Sequence, residues 1–313
     1  MMEIVGKTNI NFMGQRRIAF VLSGVLVVLG LVAIVRIATA SANLGIDFSG
    51  GTSVQLNFER PVHMDEARRI LSEQHLEADL QNFTGTAKLL IRVKGGDTIG
   101  EHVGERVQSA FAAALPDNPF VIDSVTEVGP TIGSRLQKDA GLAIILSLVG
   151  IIIYIAMRFE FRFGVAAAIA TFHDVLALLG LFVLFGKEVN LLLVTSLLTI
   201  GGYSLNDTVV VFDRIRENLR KRHGESLEQI MNAGINQVLG RTLVTSLTTM
   251  LVLVTLTLWG GEVLHDFALA LLIGVAIGTY SSYYVASSLV LEWYNRTDRT
   301  RPTPEDDTAP QRA

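Results

Sequence analysis

The chain contains no cysteine. That excludes a disulfide framework, a thiolate metal site and a thiol nucleophile, so a domain facing an oxidising compartment has to fold on its hydrophobic core alone. A phosphate-binding loop is also missing. The stretch GLFVLFGKE, residues 180–188, has one residue too many between its glycines and no Ser or Thr after Lys187. The 6 histidines form no HExxH pattern, and no G-x-S-x-G elbow occurs. A net charge of -4, with much of the acid in the terminal PEDD and in the region after residue 40, gives no nucleic-acid signature. ATP hydrolysis through a Walker motif is excluded, and the chain is not expected to be an enzyme or to carry a cofactor or metal.

What the chain does have is apolar length. Hydrophobic residues make up 50% of it and the mean hydropathy is +0.43, too apolar for a soluble protein of 313 residues. Apolar runs of about the ~20 residues that a 30 Å hydrocarbon core requires fall at 18–40, 138–157, 164–186, 189–212, 240–260 and 265–293. These predict a polytopic α-helical membrane protein with six transmembrane helices. The first run ends in ATASA, which resembles a signal-peptide cleavage site, but its length favours a retained anchor.

Basic residues in short loops set the orientation. Lys7, Arg16, Arg17, Arg158, Arg162, Arg214, Arg216, Arg220, Lys221, Arg222, Arg296, Arg299 and Arg301 fall on one side; the two short loops of the other side hold only Lys187. The first side is expected to be cytoplasmic. It would hold the N-terminal segment 1–17, a basic loop with an amphipathic helix at 213–239, and a polar, proline-rich tail at 294–313 expected to be disordered. In the 213–239 segment Leu227, Ile230, Met231 and Ile235 recur at helical spacing, which reads as a helix lying on the inner leaflet.

Residues 41–137 are then the one sizeable domain outside the membrane. Strand-like segments at 52–58, 79–83, 89–93 and 120–128 alternate with helix-like segments at 64–74 and 99–115. The order β-α-β-β-α-β is that of a ferredoxin-like α+β domain, with both helices on one sheet face. The free face could hold an extended polypeptide or pack on a neighbouring subunit.

Polar groups inside the apolar runs are the candidate functional residues. Asp207, with Asn206 and Ser204, lies in the fourth run; an acid there must be paired, protonated or next to water. The fifth run opens with Arg241, Thr245, Thr248 and Thr249 on one helical face. In an antiparallel hairpin Asp207 would lie roughly 9 Å deep at 1.5 Å per residue, and Arg241 enters from the same side. Opposite charges at similar depth predict a pair, and its making and breaking would couple proton binding to movement. The alternative is that Arg241 snorkels to the interface and the threonines bond their own backbone. His173 and Asp174 in the third run form a possible second intramembrane site with Asn206. Being adjacent on a helix, the two are expected to point to different neighbours, either as titrating groups or as structural hydrogen bonds. Gly274-x-x-x-Gly278 reads as a helix-packing signal.

Five motifs in order, GIDFSGG at 45–51, VGPTIG at 128–133, HD at 173–174, GYSLNDTVVVFDRIREN at 202–218 and RTLVTS at 241–246, closely resemble the SecF family of protein-export membrane proteins. The resemblance covers residues 12–293; Ile46 and Ser49 depart from the family pattern. It implies a half-transporter of the resistance-nodulation-division superfamily in the bacterial inner membrane. Its implied partners are SecD, the SecYEG translocon and a translocating preprotein, and its implied energy source is the proton-motive force. By motif it makes Asp207, Arg241 and Thr245 proton-path residues. Two other functions stay open. One is a lipid or drug exporter of the same superfamily, although those carry larger outer domains in two copies; the other is a scaffold subunit that conducts no protons.

Overall fold

A computed structural model describes residues 8–39, 41–82, 86–94, 102–221 and 224–299. Parts of several predicted segments, including 1–7, 83 and 300–313 of the predicted tail, lie outside the described residues. The chain forms two compact units: one from 1–34, 146–185 and 195–313, the other from 35–145 and 186–194.

The second unit holds the sheet. A short helix α2 (Ile46–Ser49, after α1 at Arg16–Ala38) leads into β1 (Gly51–Phe58), α3 (Met64–Glu73), β2 (Ala78–Asn82), β3 (Lys88–Lys94), α4 (Val103–Ala114) and β4 (Phe120–Val128). The strands form one four-stranded sheet in the order β2-β3-β1-β4, antiparallel at every step. Alternation along β1 explains which face is covered: Val54, Leu56 and Phe58 are buried while Ser53, Gln55 and Asn57 are only partly covered. The buried set joins Leu89, Ile91 and Val93 of β3 with Ala67, Ile70 and Leu71 of α3 and Val107 and Phe111 of α4 in one core. Edge strand β4 is mostly exposed, with Val121, Ile122 and Val125 open to the surroundings, and the register shifts between Gln55 and Leu56.

Two of the sequence motifs meet in this unit. A side chain at Gly133 would lie 3.0 Å from the Phe48 carbonyl, and one at Gly50, whose φ is +71°, would lie 3.1 Å from Pro130. GIDFSGG and VGPTIG are therefore two halves of one tight contact. Asp47 of the first motif accepts the Leu191 backbone N–H at 3.1 Å. A carboxylate suits that place, since it sits at the positive end of a helix.

The other unit is helical: residues 146–158 of α5 (Pro130–Arg158), α6 (Phe161–Leu184), residues 195–221 of α7 (Leu191–Lys221), α8 (Leu227–Trp259), α9 (Glu262–Ser281), a π-helical turn (Ser282–Ala286) and α10 (Ser287–Arg299), together with α1 up to residue 34. Among the described residues 5 helical segments are long and apolar enough to cross a membrane: Met13–Ala38, Pro130–Arg158, Phe161–Leu184, Leu227–Trp259 and Leu264–Thr297. The fourth predicted run, within α7, is long but not among them. The physical reason is its own cargo of small and polar residues: Gly201, Gly202, Ser204, Asn206 and Asp207 dilute the apolar content.

The stretch predicted as a separate amphipathic helix is continuous with the fifth run. Ser226 and Gln229 form a reciprocal cap that starts α8, and the helix then runs unbroken to Trp259. Its apolar face does not lie free on a surface. Met231, Ile235 and Leu239 are buried with Phe12, Met13, Phe212 and Ile215. The segment before α1 is held there by Asn236 and Asn232, which accept from the Ile10 and Met13 backbone N–H groups at 2.9 and 3.0 Å.

α6 is the most buried of the apolar helices, with 72% of its best window inside the protein. Close approach to α1 rests on two glycines: a side chain at Gly30 would lie 2.7 Å from Leu176 Cβ, and one at Gly180 would lie 2.5 Å from the Gly30 nitrogen. Gly180→Val should destabilise the chain by about 1–3 kcal/mol, the usual cost of overpacking, visible as a lower melting temperature of the purified full-length protein. Phe111→Ala should destabilise the sheet unit by about 3–5 kcal/mol and open residues 41–137 to added protease in membranes where the unchanged chain resists.

Candidate functional site

α7 carries Asp207 and Ser204 inward. Asp207 is 3% exposed and its Oδ2 accepts the Ser246 hydroxyl of α8 at 3.2 Å. Ser246 in turn accepts from Thr279 of α9 at 2.8 Å. The expected partner is elsewhere: Arg241 is exposed, and no ion pair joins it to Asp207 among the described residues. Depth is part of the difference, since Ser246 lies five residues beyond Arg241, about 7.5 Å along the helix, and phase is the rest. A helix turns about 100° per residue, and on α8 the inward stripe is Thr242 and Ser246, both 2% exposed, whereas Arg241, Thr245 and Thr248 are exposed on another face. Thr245, Thr248 and Thr249 each bond a backbone carbonyl of their own helix at 2.9 to 3.0 Å. Thr249 also accepts the Tyr203 hydroxyl at 3.1 Å. Asn206 is exposed and joins neither cluster.

A second buried carboxyl lies on α6. Asp174 is 0% exposed and His173 is 3% exposed. The two meet, contrary to the expectation that neighbours on a helix point apart: His173 Nδ1 lies 2.8 Å from Asp174 Oδ1. Adjacent Cβ vectors diverge, but the imidazole is long enough to fold back onto the next side chain. Oδ2 of the same carboxyl accepts the hydroxyl of Ser204 on α7, and that of Ser281 at the end of α9 at 2.7 Å. One carboxyl thus ties three helices. Gly278 makes room, since a side chain there would lie 2.9 Å from Ser204 Cβ.

The π-helical turn starts at this cluster. Ser281, Ser282 and Tyr283 are consecutive and bond to three different helices: Ser281 to Asp174 of α6, Ser282 to Thr208 of α7 at 2.9 Å, and Tyr283 to Thr242 of α8. A π turn widens the helix and is common where function needs unusual side-chain placement. Sequence reading assigned no role to Thr208, Thr242, Ser246, Thr279 or Tyr283. The four-residue spacing of Thr242 and Ser246 was the one signal for the inward stripe.

The groups at the ends of these helices are also paired. Arg158 meets Asp213 at 2.5 Å, Arg216 meets Glu160 at 3.1 Å and Arg16 meets Glu292 at 3.0 Å. Glu217 is held below the usual carboxylate range by hydrogen bonds from Lys221 and Arg214.

Comparison with known proteins gives concordant results. The family described as protein export membrane protein SecD/SecF, C-terminal, matches residues 96–296, and the SecD/SecF GG motif matches residues 42–62. A protein translocase subunit SecF of Thermodesulfovibrio yellowstonii is 49% identical over 93% of this chain and 97% of its own length. The SecF subunit of Pseudomonas aeruginosa is 35% identical over 95% of this chain and 95% of its own. Among solved structures, the translocon-associated membrane protein SecDF from Thermus thermophilus is similar with a TM-score of 0.81 at 35% identity. This chain is 95% covered in that superposition but spans only 40% of the solved chain. On these matches and on a fold in which the GG motif, the HD pair and the polar face of α7 are all structurally engaged, the chain belongs to the SecD/SecF family of protein-export membrane proteins.

Proposed function

We propose that this chain serves protein export as a SecF-type subunit that couples proton movement through its helical unit to work on polypeptide outside the membrane. The observation that carries the reading is Asp207, a buried carboxyl on a membrane helix whose hydrogen-bond donor is a neutral hydroxyl, not a cation. A buried charge without a counter-ion costs several kcal/mol, and binding a proton removes that cost. Such a group is suited to take up and release protons in step with a rearrangement.

Arg241 and Thr245 enter the same path by rotation. Turning α8 by about 100°, one residue's worth of helix, would replace Ser246 with the Arg241–Thr245 face opposite Asp207. We read the arrangement with Ser246 as one state of a cycle and an Asp207–Arg241 pair as another. A charge crossing the membrane field gains about 2.3 kcal/mol per 100 mV, enough to bias such a two-state change.

The remaining architecture belongs to the same proposal. α7 supplies a sixth span in addition to the five apolar ones, its polar content being the price of the site. Sidedness is supported by ion pairs that gather the arginine-bearing helix ends, with both termini in the cytoplasm. The order β2-β3-β1-β4 with two β-α-β crossovers supports a ferredoxin-like domain outside the inner membrane. The match to 40% of a SecDF chain supports SecD as the other half, with SecYEG and a preprotein as further partners. No cofactor is required beyond the proton gradient. A lipid or drug exporter fits the single small outer domain poorly. A scaffold that conducts no protons is the remaining rival.

Three outcomes test this. In membrane vesicles with the partner subunits present, Asp207→Asn should reduce proton flux to the level of vesicles lacking the protein; flux equal to the unchanged chain removes Asp207 from the path. Cells whose only copy carries Asp207→Asn or Arg241→Met should accumulate unexported precursor at normal membrane levels of the protein, whereas the scaffold reading predicts normal export. Ser246→Ala removes a donor without removing the acid, so flux should persist with an altered pH dependence.

A further inference from the structure

We propose that His173 and Asp174 form a second proton-binding dyad, in which Nε2 of His173 takes up and releases the proton and Asp174 is the positioning residue. The proposal rests on the proton-coupled reading above and names a further site within it.

The geometry assigns separate roles to the atoms. Nδ1 of His173 and Oδ1 of Asp174 are 2.8 Å apart and share one proton. Oδ2 faces two hydroxyl donors, Ser204 and Ser281. An ionised carboxylate offers acceptors only, so this donor set suits a carboxylate with the hydrogen on Nδ1. The imidazole is then fixed in the tautomer that leaves a lone pair on Nε2. That atom is buried and has no hydrogen-bond partner among the described residues. A buried polar atom left unmatched costs about 1–3 kcal/mol, and such an orphan calls for an explanation. A proton added at Nε2 converts the pair into imidazolium and carboxylate, in which the carboxylate stabilises the new charge and holds the ring, as second-shell carboxylates orient histidines elsewhere. The proton arrives from water and leaves by the same atom, so no other reactant is needed.

The dyad is also wired to move its neighbours. The Ser281 hydroxyl has a single hydrogen and two acceptors in reach, Asp174 Oδ2 at 2.7 Å and the Gly278 carbonyl at 3.1 Å. When the imidazolium draws on the carboxylate, Ser281 can turn to Gly278, releasing the start of the π turn. Ser204 lies one helical turn before Asp207 and Thr208 on α7. Loading of His173 thus acts on the helix that carries Asp207. The other titratable groups on the elements around α6 include Tyr203, Asp207, Asp213, Arg214, Arg216, Glu217, Arg220 and Lys221 on α7, Glu228 and Arg241 on α8, His265, Asp266 and Tyr280 on α9, Tyr283 and Tyr284 in the π turn, Glu292, Tyr294 and Arg296 on α10, and Arg16 and Arg17 on α1. None is in hydrogen-bond or ion-pair contact with His173 among the described residues.

The test is nitrogen-15 magnetic resonance on the full-length chain in lipid, with the other histidines replaced by glutamine so that only His173 reports. The expected result is a single neutral tautomer with hydrogen on Nδ1 that converts to imidazolium as pH falls. Asp174→Asn should shift that conversion to lower pH and admit the other tautomer. In vesicles with the partner subunits, proton flux per molecule of His173→Gln, which keeps a hydrogen-bonding side chain, should lose part of its pH dependence. Should His173→Gln not accumulate, His173→Asn takes its place. An imidazole that stays in one form across the range in which the chain remains folded overturns the proposal, as does a flux profile that superimposes on the unchanged chain. Titration of His173 that survives Asp207→Asn while flux is lost supports the dyad as a separate site. Titration without any proton flux in the unchanged chain points instead to failure of the proton-coupled reading.

Discussion

Two buried carboxyl groups constrain the whole helical unit. Asp174 and Asp207 sit on the inner faces of α6 and α7, where each must find its hydrogen bonds from neighbouring helices because lipid and side-chain carbon supply none. The donors they find on other helices are Ser204, Ser246 and Ser281, and His173 pairs with Asp174 on its own helix. Small hydroxyl side chains can reach only if backbones come close, which is why Gly278 lies against Ser204. Polar pairing and close packing are one requirement seen from two sides.

Hydroxyls also leave the arrangement changeable. A bidentate arginine would hold a carboxylate firmly in one geometry, whereas a serine bonds either a side chain or its own backbone with little difference in energy. Ser281 has both acceptors at hand, and Thr242 bonds backbone carbonyls as well as Tyr283. The junction of α9 with the π turn concentrates these choices in Ser281, Ser282 and Tyr283. A helix bound to three others through its least regular turn can change register there without unfolding.

The sheet unit follows different physics. Its core is apolar and closed by Phe111, Leu56 and Ile91, each fully buried. Gly50, Gly133 and Pro130 let two distant segments touch, and Asp47 ends on the first turn of α7. The GG motif is therefore a structural joint within this unit. Exposed β4, with Val121, Ile122 and Val125, is its least satisfied surface.

Much of this was legible beforehand because it depends on local composition. Apolar runs near the bilayer length, the alternation in β1, the basic loops and the odd acid in an apolar stretch are all readable residue by residue, and the ordered motifs identify the family. The polar content that marked Asp207 is the same content that keeps α7 from counting as an apolar span. What only tertiary structure decided was direction around each helix axis. A one-residue error in phase is about 100° of rotation, which set the Thr242 and Ser246 face inward and turned Arg241 and Thr245 outward. Contacts such as His173 with Asp174, or Ser281, Ser282 and Tyr283 with three separate helices, depend on χ angles and on a widened π turn. No pattern of residue types along a chain encodes those, because they are set by which neighbours arrive at the site.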